Sequence, residues 1–174
     1  SSHCSTITVS NLFLYKTNKK NYIYFTMTYY ITYLKDSIGN NYLGIKLPND
    51  VVAPYIDELR EILGDEFDTY TENQKKRDHD SYHITVINAM DYNKLAKEVG
   101  VENFVNSLES VLNYEIDDLE MLGVGTAAKE SNRTYFIVCN SDKLDAVRTR
   151  FGLGNQDFHV TLGFKDKDVF SVRK

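Results

Sequence analysis

Two histidines carry the chemistry this sequence offers. Ser81-Tyr82-His83-Ile84-Thr85-Val86-Ile87 and Asp157-Phe158-His159-Val160-Thr161-Leu162-Gly163 share one order: histidine, apolar residue, threonine, apolar residue. Side chains alternate between the faces of a β-strand. His83 and Thr85 therefore face one way, and Tyr82, Ile84 and Val86 face a core. His159 and Thr161 stand in the same relation to Phe158, Val160 and Leu162. Each strand presents an imidazole and a hydroxyl roughly 7 Å apart along its length. An unperturbed imidazole titrates near pH 6.5, so one ring can be neutral while another is protonated. The neutral ring takes a proton from water or a ribose hydroxyl, and the protonated ring gives one to a leaving oxygen. Each transfer typically contributes a factor of about 10² to 10⁴. Thr85 and Thr161 can donate to non-bridging phosphate oxygens, where transition-state charge must be held. Such a set suits phosphodiester chemistry without a metal, with either ring as the acid.

All four histidines have Ser or Thr two places on, but only His83 and His159 also have apolar residues at +1 and +3. Two such matches arise by chance on the order of a few times in a thousand, and motif matches are hypotheses to be weighed. A single copy reads best as a satisfied polar spot on a half-solvated strand. Two copies in matching contexts read best as a site.

The paired strands resemble the two-histidine (2H) phosphoesterase superfamily, over roughly residues 42–170. The histidines lie 76 residues apart, which suits one motif per lobe. Phe158-His159-Val160-Thr161-Leu162-Gly163-Phe164 looks most like branches associated with RNA repair and with viral or phage nucleotide-degrading enzymes. The resemblance implies a bilobal fold, with two pseudo-symmetric sheet-plus-helix lobes around a central cleft. It also implies catalytic roles for His83, Thr85, His159 and Thr161.

The elements that must position these residues follow from the pattern. Residues 1–41 read as an N-terminal extension with appended strand character, because residues 22–34 are dense in Tyr, Ile, Phe and Thr. The first methionine is Met27, and residues 1–26 are expected to be dispensable. Residues 42–174 read as a single domain, with lobes of about 42–112 and 113–174 between which strands can be exchanged. Residues 42–47 read as a strand, and Asn49 or Asp50 then caps a helix that Gly64 stops. A short strand is expected over 67–71, then a polar loop over 72–80. Residues 91–112 read as one helix broken at Gly100, or as two. Residues 114–127 are expected to be extended, and 134–139 a central strand. Asn140, Ser141 or Asp142 caps a helix that Gly152 and Gly154 end. The fold class is α+β.

Composition sets the limits. The 174 residues are 42% hydrophobic and 26% charged, ordinary for one globular domain with a sizeable core. The net charge of −5 disfavours long duplex DNA and fits a small nucleotide or a short RNA or oligonucleotide end. Cys4 and Cys139 form no disulfide framework, and no apolar run spans a membrane. A cytoplasmic protein without cofactor is expected.

Rival constellations carry less. His79 and His83 lack a third metal ligand, and no Gly-rich phosphate loop is present. Lys75-Lys76-Arg77 reads first as a solvated run, with phosphate steering as its alternative. Tyr70 reads equally as core or as a base-stacking residue. Tyr70, Lys75, Lys76 and Arg77 are therefore the candidate substrate-binding residues. The leading expectation is a metal-independent phosphodiesterase acting on a 2′,3′-cyclic phosphate end, a 2′–5′ linkage or a cyclic oligonucleotide. The alternative is a non-catalytic nucleotide- or RNA-binding module using the same cleft.

Overall fold

The computed structural model describes residues 11–17, 20–170 and 173–174. His3 and Cys4 lie outside them. Strands β1 (Asn11–Thr17) and β2 (Lys20–Thr26) form an antiparallel ribbon of their own. The rest is built on one six-stranded antiparallel sheet. In chain order its strands are β3 (Thr32–Lys35), β4 (Asn41–Leu47), β5 (Tyr82–Ile87), β6 (Glu120–Lys129), β7 (Asn132–Asn140) and β8 (His159–Phe164). Across the sheet the order is β3-β4-β5-β8-β7-β6. The α+β class stands. The expectation of two separate lobes becomes two half-sheets fused edge to edge, with the histidine strands β5 and β8 at the centre. Strand β7 is interior rather than central, because β8 displaces it.

The alternation expected of β5 and β8 is met. Ile84, Val86, Val160 and Leu162 have no exposed surface and join a single core. Ile45, Ile84, Val160 and Ile137 form a continuous apolar row across four strands. The helices α1 (Asn49–Leu63), α3 (Ala89–Val99), α4 (Val101–Leu112) and α5 (Asp142–Arg150) add Val52, Leu59, Tyr92, Phe104, Leu108 and Leu144 to that core.

Local signals account for most boundaries. Gly64 ends α1, its N–H reaching the Arg60 carbonyl. Pro48, rather than Asn49 or Asp50, occupies the N-cap of α1, without a side-chain cap. Gly100 has φ 88°, a value that favours glycine and separates α3 from α4. The Ser141 hydroxyl caps α5 by accepting from the Leu144 N–H at 3.1 Å.

Helix α2 (Phe67–Asp78) overturns two expectations, the strand at 67–71 and the loop at 72–80. Its buried positions are Phe67, Tyr70, Thr71 and Gln74, a sound helical period. Half of that stripe is polar, so hydrophobic periodicity does not display it. Helix α2 lies against β8, where a side chain on Gly163 would meet the Tyr70 backbone at 3.0 Å.

The stretch before Tyr42 is joined to the sheet. Strand β3 pairs with β4, Tyr29 exchanges backbone hydrogen bonds with Ile116 at 2.8 and 2.9 Å, and Ile31 is in the core. No helix among the described residues is long and apolar enough to cross a membrane.

Candidate active site

Strands β5 and β8 meet through one residue pair, Ile84 opposite Val160. Antiparallel register then sets His83 across from Thr161 and Thr85 across from His159. The two histidines lie on a diagonal, and so do the two threonines. All four side chains line one cavity of about 710 Å³.

A longer β5–β8 ladder would close this face, and side chains take its place. Gln156 Nε2 donates to the Thr85 carbonyl at 2.6 Å. The buried Arg148 donates from Nη1 to the Val86 carbonyl at 2.7 Å and from Nε to the Gly154 carbonyl at 2.8 Å. The Thr85 and Val86 carbonyls on β5 thereby keep a donor.

Both imidazoles are partly buried and each meets an aromatic edge. His83 lies 5.7 Å from the Tyr42 ring and His159 lies 5.7 Å from the Phe136 ring, both T-shaped. Burial pushes the His83 pKa down. The charges of Arg77 and Lys46 add to that, and Asp78 and Asp168 oppose it. Burial also lowers His159, helped by the Lys174 ammonium and His83 and opposed by the Asp157 carbonyl and Asp168. His159 Nδ1 lies 2.9 Å from the Asp157 carbonyl. An Nδ1–H donating there leaves the lone pair on Nε2, towards the cavity. Lys174 Nζ stands 3.4 Å from that Nε2.

Asp168 is the charged hub beneath the site. Its Oδ2 accepts from Arg77 Nη1 at 2.7 Å and from the Thr161 hydroxyl at 3.3 Å. Its Oδ1 accepts from the Val169 N–H at 2.8 Å and from Lys174 Nζ at 3.4 Å. Burial opposes ionisation of Asp168, but the Arg77 hydrogen bond and the Lys174 charge outweigh it and hold the carboxyl below its usual range. Arg77 is further committed to Asp78, with Nε and Nη2 each donating at 2.8 Å.

The structure thus brings His83, Thr85, His159, Thr161 and Arg77 to one cavity. It does not bring Tyr70, Lys75 or Lys76 there. Tyr70 is buried with its ring 5.6 Å from that of Tyr135, and Lys75 and Lys76 are exposed on α2. His79 lies at the cavity's rim in a left-handed conformation, φ 54°. Asp168, Lys174, Tyr42, Phe136 and Gln156 escape sequence reasoning, since none belongs to a repeated motif. Among the described residues no three His, Cys, Asp or Glu side chains are grouped to hold a metal. Burial pushes the Cys139 thiol up to about 12, consistent with its core position.

Comparison with known proteins adds one finding. Residues 49–170, more than half of the chain, match a family model described as "Swiss Army Knife, 2H phosphoesterase domain". No match appears among curated proteins or among solved structures.

Proposed function

This chain belongs to the 2H phosphoesterase family, and we propose that it is a metal-independent phosphodiesterase acting on a small ribose phosphodiester. The observation that carries this reading is the diagonal quartet of His83, Thr85, His159 and Thr161 around the Ile84–Val160 pair. A phosphorus atom placed over that pair has an imidazole on either side, as in-line displacement needs. With a 2′,3′-cyclic phosphate, a water oxygen bonds to phosphorus as one ribose oxygen leaves. The neutral imidazole takes the water proton, and the protonated imidazole gives its proton to the departing oxygen. The Thr85 hydroxyl offers a hydrogen bond to a non-bridging oxygen. A 2′–5′ linkage or a cyclic oligonucleotide presents the same reacting group.

Size supports a small substrate. Ligand cavities run from about 300 to 1,000 Å³, and this one holds a nucleotide or a dinucleotide rather than a duplex. The test is turnover of 2′,3′-cyclic nucleotides, 2′–5′-linked dinucleotides and cyclic dinucleotides in EDTA. Hydrolysis of at least one class in EDTA is expected. Binding without turnover across the panel would make the chain a nucleotide-binding module instead.

A further inference from the structure

We infer that Lys174, seated by Asp168, is the phosphate-holding cation on the second-motif side of the cleft, and that its contact with Nε2 makes His159 the base. This deepens the phosphodiesterase reading and rests on it.

The two motifs share a sequence pattern but not a hydrogen-bond pattern. The Thr85 hydroxyl has no hydrogen-bond partner among the described residues, so its one proton is available to a ligand. The Thr161 hydroxyl spends its proton on Asp168. The second motif therefore lacks the phosphate donor that the first retains. Lys174 fills that gap. An ammonium carries three N–H donors. One goes to Asp168 Oδ1 and one to His159 Nε2, both at 3.4 Å. The third is left for a ligand in the cavity that Lys174 lines. The Phe136 and Phe170 rings, 5.8 and 5.7 Å from Nζ, flank the ammonium. The Lys174 side chain is only 6% exposed, which confines it to this position.

The same contact assigns the proton roles. Nε2 can accept from an ammonium only when it carries no proton, which matches the Nδ1–H held by the Asp157 carbonyl. The groups facing His159 are the Lys174 ammonium, the Asp168 carboxylate, the His83 ring and the Phe136 edge, with Arg77 neutralising Asp168 from α2. Arriving phosphate draws the ammonium off Nε2 and frees the lone pair for a water proton. With His159 as the base, His83 is left to protonate the leaving oxygen.

The experiment is NMR titration of the labelled imidazoles in the full chain, with inorganic phosphate as probe. In the wild type His159 should be the Nδ1–H tautomer, and its Nε2 resonance should shift on adding phosphate. In K174M the His159 pKa should rise towards 6.5 with His83 nearly unmoved, and phosphate binding should weaken about tenfold. K46M should instead affect His83. On any diester that the wild type hydrolyses, K174M should lower kcat/KM about 10- to 100-fold and move the acidic limb of the pH profile to higher pH. A lysine that merely held the fold would move neither limb. A wild-type His159 in the Nε2–H tautomer, or a folded K174M with unaltered His159 titration and phosphate affinity, overturns the inference. These readings need no substrate, so they stand apart from failure of the whole panel to be hydrolysed.

Discussion

Both imidazoles sit in surroundings that strip their protons early, and that governs how the site answers to pH. One ring must hold a proton while the other lacks it, so kcat/KM should follow a bell. Both pKa values are lowered, by burial first and neighbouring cations second. Both limbs therefore move to the acid side, and the optimum should fall below about pH 6.5. A profile centred above pH 7.5 would contradict this. His83→Ala and His159→Ala should each lower turnover by roughly two to four orders of magnitude with unchanged thermal melts. The double variant should be far less than multiplicatively worse, because both rings serve one transition state. Thr85→Ala should lose about 1.5 to 3 kcal/mol of transition-state binding. Thr161→Ala should lose less, since its proton is already directed at Asp168. Equal losses from the two threonine variants would speak against that asymmetry. The four motif residues were legible because a strand's alternation converts spacing directly into direction. Asp168 and Lys174 were not, because an isolated charge carries no period and is recognised only by what folds against it.

At the scale of elements, the site depends on a ladder that is deliberately short. Arg148 and Gln156 replace the missing rungs between β5 and the loop leading to β8. Arg148→Met should leave the buried Val86 carbonyl without its donor, at about 1 to 3 kcal/mol. It should also let the two motif strands drift, so urea denaturation and turnover should both register it. A variant as stable and as active as wild type would make Arg148 incidental. Gly163→Ala should push α2 away from β8 and destabilise by about 1 to 3 kcal/mol. Strands β5 and β8 were readable from apolar alternation, β4 and β7 from their apolar content, and α1, α4 and α5 from helical period and caps. Helix α2 was hidden because Thr71 and Gln74 hold half of its buried stripe. The single sheet was hidden for another reason. Which strands pair across 76 residues is decided by packing, and no local pattern records it.

For the whole molecule, the pKa shifts become a statement about stability. A base whose pKa is lower folded than unfolded binds its proton more tightly in the unfolded chain. The contribution of His83 and His159 is therefore complete above about pH 6.5, the unfolded value, and is lost as pH falls through the lowered folded values. Asp168, also depressed, adds its own loss below about pH 4. The melting temperature should decline from pH 7.5 to 5, and the His83→Gln/His159→Gln variant should decline less. An equal decline would assign the effect elsewhere. A chain beginning at Met27 should fold and remain active, since it keeps the Tyr29–Ile116 pairing, Ile31 and β3. A chain beginning at Asp36 should melt markedly lower, because it loses an edge strand and two core side chains.

The sheet divides where the chain divides. Strands β3, β4 and β5 come from residues 32–87, and β6, β7 and β8 from residues 120–164. A cut between Asn113 and Tyr114 would yield two pieces, each with one motif histidine and neither with both. Each piece alone should be inert towards a diester. Mixed, they can reunite along the Ile84–Val160 seam and the Phe104–Phe151 ring contact at 6.1 Å. Turnover would then rise with the product of the two concentrations at low dose. The molecule would thus serve as its own reporter of fragment complementation, with a signal that demands the alignment of β5 against β8.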